Sequence, residues 1–425
     1  MISSFLSGRG RRVRQVLAGS VFLLSFGYGK TVCAQNTSEG ASQFQVSGDI
    51  QLKLVTLDEL PVDGGFKLPE TTYSDVVSAL RVSWQPTPDV IFRSWLKTEF
   101  RNYVKNRSAN RYRFLDEIVF HELSVEFTDL MSDRLDLKIG RFPMHYGRGL
   151  QILESSPLDA ERSYGFNGIR GRFKFAHYKL DLIGIYSPEE DEYLINNKHK
   201  KIGFLESDER GVVAYLTSND KSATAGLPSD IYYMFKHERP RFGQSDVYLH
   251  TLGFIWPLQW TEQFSSYWEL ARQGGHRRGG GDVRAWLSDF SMNYQWPDKA
   301  WQPEVFFANY YLSGDDPTTS TEENWHGLWA RWPQYSYFLV WQFIPRIGDW
   351  TNINWSRLGL RLRPGDRTRF EMSIGPVYAP EKGLGGGDHR GNLLIAILNH
   401  RFTSRFSVMA RAEFFESGDF HPEQD

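Results

Sequence analysis

The sequence predicts an all-β protein, a transmembrane antiparallel up-and-down β-barrel. Three observations lead there: period-two alternation of apolar and basic residues, a secretory leader, and turns that alternate in length. Between Val90 and Arg101, one face carries Val90, Phe92, Leu96 and Phe100, and the other carries Arg93, Lys97, Glu99 and Arg101. The same split recurs in Ile169-Arg170-Gly171-Arg172-Phe173-Lys174-Phe175 and in Leu358-Gly359-Leu360-Arg361-Leu362-Arg363. A soluble sandwich would bury the apolar face and hydrate the other, whereas a membrane barrel turns the apolar face to lipid and the charges inward.

The N-terminus bears on that choice. Residues 1–34 carry Arg9, Arg11, Arg12 and Arg14 and no acid, then the apolar run Val16 to Phe26, then Val32-Cys33-Ala34 before Gln35. This is the order of a secretory signal peptide cleaved after Ala34, with an apolar core too short to span a bilayer as a helix. A lipoprotein at Cys33 lacks the usual residues before the cysteine, and a twin-arginine signal lacks the apolar residues expected after Arg11-Arg12. Of 49 basic and 51 acidic residues the leader takes five basic ones, so residues 35–425 are mildly acidic and contain no cysteine. Disulfides and thiolate metal sites are thereby excluded, and nothing suggests a nucleic-acid partner.

Residues 35–425 show no linker or composition shift, which fits a single barrel domain better than several soluble ones. Aromatic residues make up 15% of the chain, and Trp84, Trp256, Trp260, Trp296, Trp301, Trp341 and Trp355 fall near the ends of alternating runs, where an interfacial girdle would sit. Short polar turns at 85–89, 129–133, 259–262, 363–367 and 402–404 alternate with long polar segments at 102–112, 187–209, 273–282, 313–326 and 379–391. Seventeen strands are predicted, the first at 42–57 and the last at 405–415. Residues 327–345, apolar and aromatic, fall in an external loop and either hide another hairpin or fold into the lumen.

The stretch Leu135-Asp136-Leu137-Lys138-Ile139-Gly140-Arg141-Phe142-Pro143-Met144-His145-Tyr146-Gly147-Arg148-Gly149-Leu150 resembles a strand and loop of the alginate export family of outer-membrane barrels. So do Phe166 to Phe173 running on to Lys179 to Tyr186, the loop motifs Tyr311 to Asp315 and Asp349 to Ile353, and the strand end Glu413 to Phe420. The resemblance spans roughly 42–420, with residues between about 190 and 300 matching only in pattern. It implies a monomeric barrel of eighteen strands in the bacterial outer membrane, passing an anionic polysaccharide or, in relatives, a smaller anionic solute. Eighteen against seventeen leaves one strand to find: either the closing strand is absent from the chain, or one was missed, with 327–345 the candidate. In the first case Phe415 sits near the external rim.

The inward series gives the expected transport path: Arg93, Lys97, Arg101, Lys138, Arg141, Arg170, Arg172, Lys174, Arg361, Arg363 and Arg411, with Glu99, Glu122, Glu126, Asp136, Glu269, Glu371 and Glu413 in counterpoint. Fixed positive charge lowers the barrier to a polyuronate, and arginine offers carboxylate a permanently charged planar fork. About half of these residues would instead cross-brace the barrel. Arg141 and Arg170 lie in the best-matching motifs and are the expected constriction. An anion-selective porin for small organic acids or oligosaccharides is the alternative. A barrel enzyme is a further one, but His121 beside Asp116, Glu117 and Glu122 falls on the apolar parity, and no nucleophile elbow or phosphate-cradling loop is present. No catalytic residue, metal or cofactor is expected. The expected partners are the anionic solute, outer-membrane lipid and lipopolysaccharide (the latter facing the basic loop His276 to Gly281), and periplasmic export components.

Overall fold

The computed structural model describes residues 20–34, 43–58, 60–63, 67–105, 117–153, 166–188, 194–197, 207–219, 227–240, 245–330, 335–342 and 350–421, with backbone alone for 20–34. The N-terminal strands are β1 (Ser20–Ala34), β2 (Gln43–Asp58), the small pair β3 (Leu60–Pro61) and β4 (Lys67–Leu68), β5 (Thr71–Thr87) and β6 (Val90–Lys105). Then come β7 (Glu117–Asp129), β8 (Leu135–Phe142), β9 (Phe166–Lys174), β10 (Tyr178–Ser187), the short β11 (Leu194–Asn197), β12 (Ser207–Ser218) and β13 (Asp230–Pro240). The remainder are β14 (Val247–Gln259), β15 (Phe264–Arg277), β16 (Asp282–Gln295), β17 (Glu304–Leu312), β18 (Ile353–Gly365), β19 (Thr368–Tyr378), β20 (His389–Arg401) and β21 (Phe406–Ser417).

All pairings are antiparallel and run from each long strand to the next, with β1 joining β2 on one side and β21 on the other, so the ladder closes on itself. Eighteen strands form this ring, and β11 attaches to the outer end of β7. All seventeen strands predicted between 42 and 415 are found. The eighteenth place is taken by Ser20–Ala34, the segment assigned from sequence to the leader; of the candidate 327–345, residues 331–334 and 343–345 lie outside the described residues, and the described ones form no strand of the ring. An apolar run that suits a leader also suits a strand between β2 and β21, because both need a short, uncharged, apolar stretch. Residues 337–342 form a short helix within the lumen. The chain end behaves as expected, with Phe415 buried at the outer end of β21 and Phe420 bonded to the outer segment at Gly385 and His389.

Parity follows the period-two pattern. Ile50, Leu52, Leu54, Leu80, Ile169, Leu182, Leu252, Leu358 and Ile374 point outward and are exposed, while their strand neighbours face the lumen. A belt of exposed aromatics marks the short-turn end: Trp84, Phe92, Trp260, Trp296, Trp301 and Phe402. Trp355 does not join it. It lies on the inward parity of β18 and is fully buried, and Trp341 lies in the helix instead of at a strand end. The turn between β7 and β8 is made by Asp129, Met131, Ser132 and Asp133, all at positive φ. Length alternation is broken by an eleven-residue connection at 219–229 and an eight-residue one at 296–303 on the short side, and by a six-residue one at 241–246 and a four-residue one at 278–281 on the long side, where β15 and β16 simply extend.

Two irregularities displace side chains from the faces their parity gives them. Trp95 pairs with Glu122 and Leu96 with Phe120, so His121 is an extra residue in a bulge. It is fully buried with its ring 4.1 Å from that of Trp95, instead of facing the interface. In β8, Gly140 has φ of 120°, and a Cβ there would lie 2.3 Å from the Leu123 carbonyl oxygen. The bend it permits leaves both Arg141 and Phe142 buried, although strict alternation would put one of them outside.

Two predictions follow from this arrangement. Leu358→Arg, on the lipid side of β18, should cost about 2–4 kcal/mol near mid-depth, read as a lower temperature for loss of heat-modifiable gel mobility. Mass spectrometry of the mature protein tests the two roles of 20–34: a chain starting at Gln35, as the leader pattern leads one to expect, would remove β1 and leave β2 and β21 without their shared partner, whereas a chain retaining Ser20 would keep β1 as the closing strand.

Candidate functional site

Inward positions of β5 to β9 build a wall rich in cations. Arg93 pairs with Glu126, and Arg170 reaches the same carboxylate at 3.7 Å. Lys138 holds Glu122 at 2.7 Å, Lys174 holds Asp136 at 2.7 Å and Asp129 at 3.1 Å, and Arg172 grips Asp181 of β10 through two 2.8 Å bonds. Arg101 grips Asp75 through bonds of 2.7 and 2.8 Å, with its guanidinium 3.8 Å above the Tyr73 ring. Lys97 lies 5.0 Å over Trp95, and Glu99 shares its face. Such alternation of cation and carboxylate braces a wide barrel, and for Arg101 and Asp75, both buried, removing either partner would strand a charge.

The wall formed by β12 to β16 is acidic and phenolic. Glu209 and Glu238 share Lys236, at 3.0 and 2.6 Å. Tyr232 and Tyr267 each donate to Glu269 at 3.0 Å, and Tyr215 donates to Asp230 at 3.2 Å. Buried carboxylates persist here because each has hydroxyl or ammonium donors.

Two inward segments lie between these walls. In the first, residues 143–153, the Tyr146 hydroxyl donates to Asp181 at 2.5 Å, and Arg148 donates to Asp289 at 2.8 Å and Ser291 at 3.0 Å above the Tyr267 ring. Its residue Ile152 forms a parallel bridge with Trp329 of the second, residues 325–330 and 335–342. Lys236 and Gln273 donate to the carbonyls of Leu328 and His326. Glu413 then receives the Ser336 hydroxyl and the backbone N–H groups of Tyr337 and Phe338, at 2.7, 2.8 and 2.9 Å, while also pairing with Arg411. A carboxylate at the start of a helix is stabilised by those unsatisfied N–H groups. Tyr73 and Tyr337 share a hydroxyl contact of 2.7 Å, and Phe338 stacks on Phe415.

The segments fill the outer part of the lumen with Ile152, Trp325, Leu328, Trp329, Tyr337 and Phe338, all buried. At the short-turn end a polar cavity of about 520 Å³ remains, lined among others by Arg148, Gln263, Asn293, Glu304 and Arg361. Arg361 is held by Glu304 at 2.6 Å and Glu371 at 2.7 Å. Arg357 lies two inward steps along β18, past Gly359, nearer the filled region. Its guanidinium covers the rings of Trp355 and Tyr335 at 4.2 and 4.5 Å, and among the described residues no carboxylate comes within 4 Å of it.

Most of the predicted inward residues thus meet as ion pairs. Arg363 is exposed beside a turn, and Arg411 anchors a lumen segment. Asp75, Asp181, Asp289 and Lys236 escaped sequence reasoning although each sits on inward parity in an alternating run, a signal that was present. Arg148 had none, since it belongs to a loop.

No family model matches the chain, and no curated protein matches it. Among solved structures it is similar to OccK11 (OpdR) of Pseudomonas aeruginosa, with 10% identity over 93% of this chain and 94% of that one and a TM-score of 0.47. It is also similar to OccK2 (OpdF) of Pseudomonas aeruginosa, at 12% identity over 94% and 96% with a TM-score of 0.47. The anion-selective porin from Comamonas acidovorans is similar at 12% identity over 94% and 100%, with a TM-score of 0.39. Likeness at this level identifies no substrate, and the motif resemblance to alginate exporters has no counterpart in these comparisons.

The outer segment 313–326 is fastened to β15 and β16. Glu322 takes two bonds from Arg277, at 2.9 and 2.8 Å, and one contact from His326 at 3.0 Å, and its backbone bonds Asp282 and Arg284. Burial opposes its ionisation, but His326 and Arg277 outweigh that and hold its pKa down at about 2, against an ordinary 4.5. A depressed carboxylate stabilises fully above the ordinary value and less as pH falls through 4.5 towards 2. Limited proteolysis of 313–326 should therefore accelerate between pH 5 and about 2, and Glu322→Gln should cleave readily already at pH 6.

Proposed function

We propose that the protein is an outer-membrane channel for small anionic solutes, organic acids or short acidic oligosaccharides, instead of a conduit for a polysaccharide chain. The observation that carries this reading is the filled lumen. A polymer needs a continuous wide bore, whereas here two packed segments leave a polar cavity on one side, with Arg148 and Arg361 in its lining and Arg357 further along β18 towards the filled region. Arg357 supplies the charge. Paired cations are largely neutralised at a distance, and a guanidinium in contact with aromatic rings, with no carboxylate within 4 Å among the described residues, retains more of its field in a low-dielectric site.

The two walls give the passage a transverse field. A solute carrying a carboxylate on one side and hydroxyls on the other turns its acid towards β5 to β9 and its hydroxyls towards the carboxylates and phenols of β12 to β16. Conduction is favoured by several weak sites in sequence over one tight clamp. Transport is passive and requires neither catalytic residue nor cofactor, and the channel acts as a monomer. Residues 1–34 direct it across the inner membrane, and the lipid-facing strands hold it in the outer one.

In planar bilayers the purified barrel should prefer anions. Arg357→Gln and Arg170→Glu should each reduce the anion-to-cation permeability ratio by about two- to tenfold, measured from reversal potentials in a salt gradient. A cation-selective wild-type pore, or a sugar-acid polymer crossing as fast as its monomer in liposome assays, would overturn the reading.

A further inference from the structure

The lipid-facing surface is not uniform around the ring. Outward positions of β5, β17, β18 and β19 carry no lysine or arginine, whereas those of β12 to β16 carry Arg210, Arg272 and Arg284 together with His250 and His276. Registers align them. Arg210, His237, Tyr248, His276 and Asp282 form one row across five strands at the long-loop end. His250 and Arg284 belong to the next row down, on either side of Gly274. Arg272 and Trp286 form the row below that, level with Leu252.

Arg272 therefore sits four residues beneath His276 on β15, about 13 Å along a strand rising about 3.3 Å per residue. Leu252 beside it is 61% exposed and Trp286 is 51% exposed, so this guanidinium borders the apolar band. It lies 5.1 Å over the Trp286 ring, and Arg210 lies 5.4 Å over Tyr186. Among the described residues neither has a carboxylate within 4 Å, and Arg284 has only Asp282, at 3.5 Å. Placing arginine towards acyl chains is costly unless an anion arrives with the lipid. The connection at 278–281 is four residues long, and the outer segment 313–326 borders the patch at Asp282 and Arg284 through the Glu322 backbone.

We propose that this face of β12 to β16 binds a phosphorylated glycolipid of the outer leaflet. Its phosphates lie between Arg210, Arg284 and Arg272, its sugar rings lie against Tyr248 and His276, and its acyl chains descend past Leu252 and Trp286. Charge complementarity selects the occupant: the arginines are arranged in depth along the membrane normal, which suits a headgroup with more than one phosphate and chains running downward. The proposal rests on the outer-membrane reading and goes beyond the channel, since none of these residues faces the lumen.

The test uses the full barrel in detergent, with native mass spectrometry of added diphosphorylated lipid A against the same lipid without phosphates. Wild type should retain the phosphorylated form. The triple variant Arg210→Gln, Arg272→Gln, Arg284→Gln should bind it about tenfold less or weaker still. The control Arg367→Gln, Arg401→Gln, Arg405→Gln, at the opposite rim, should bind it as wild type does. Equal binding by the triple variant, equal retention of the phosphate-free lipid, or displacement by inorganic phosphate alone would each overturn the proposal. Heat-modifiable mobility is scored in parallel. Its absence in wild type removes the barrel reading, and its presence without lipid preference removes this proposal alone.

Discussion

A backbone amide in hydrocarbon has no partner other than a neighbouring strand, and each one left unpaired costs several kcal/mol. Every long strand here meets that demand by antiparallel pairing on both sides, and the ring closes between β21 and β2 through β1. Once pairing is obligatory, parity is fixed: alternate side chains face lipid, and the rest are enclosed in a space they must fill or brace. The ion pairs, the phenol-carboxylate wall and the inward segments are all consequences of that enclosure.

Bracing and conduction draw on the same residue types, so charge alone does not separate them. Arg101 is enclosed by Asp75 and two tyrosine rings and has no face left for a passing solute. Arg411 looks from sequence like another rung of the same ladder, yet it contacts the Tyr335 carbonyl and Glu413 and holds a segment in place. Arg357 differs because its neighbours are rings, which cover it without cancelling its charge. The distinction lies in the partner.

Strands were legible because their signal is local. Val90 to Arg101 announces its own faces, and a two-residue period survives whatever the neighbours do. His121 was misplaced because a bulge breaks the period at one residue, just as Gly140 at φ of 120° lets Arg141 and Phe142 both be buried, and nothing adjacent in the sequence records either break. Trp355 was read as interfacial because tryptophan at a strand end looks alike on either face. The inward segments could not be read at all: Glu413 and Ser336 lie 77 positions apart, and only the closed ring brings them together. Residues 20–34 show the opposite problem, since one local pattern satisfies two destinies.

The anchoring of the helix by Glu413 has a consequence for assembly. The helix at 337–342 depends on a carboxylate carried by a strand far along the chain, so its first N–H groups stay unsatisfied until β21 is laid beside β20. The wall is thus finished before its contents are fastened. A barrel in which β21 is not yet seated is a wider, emptier one, and the strand that carries Glu413 is the one that latches its contents in place.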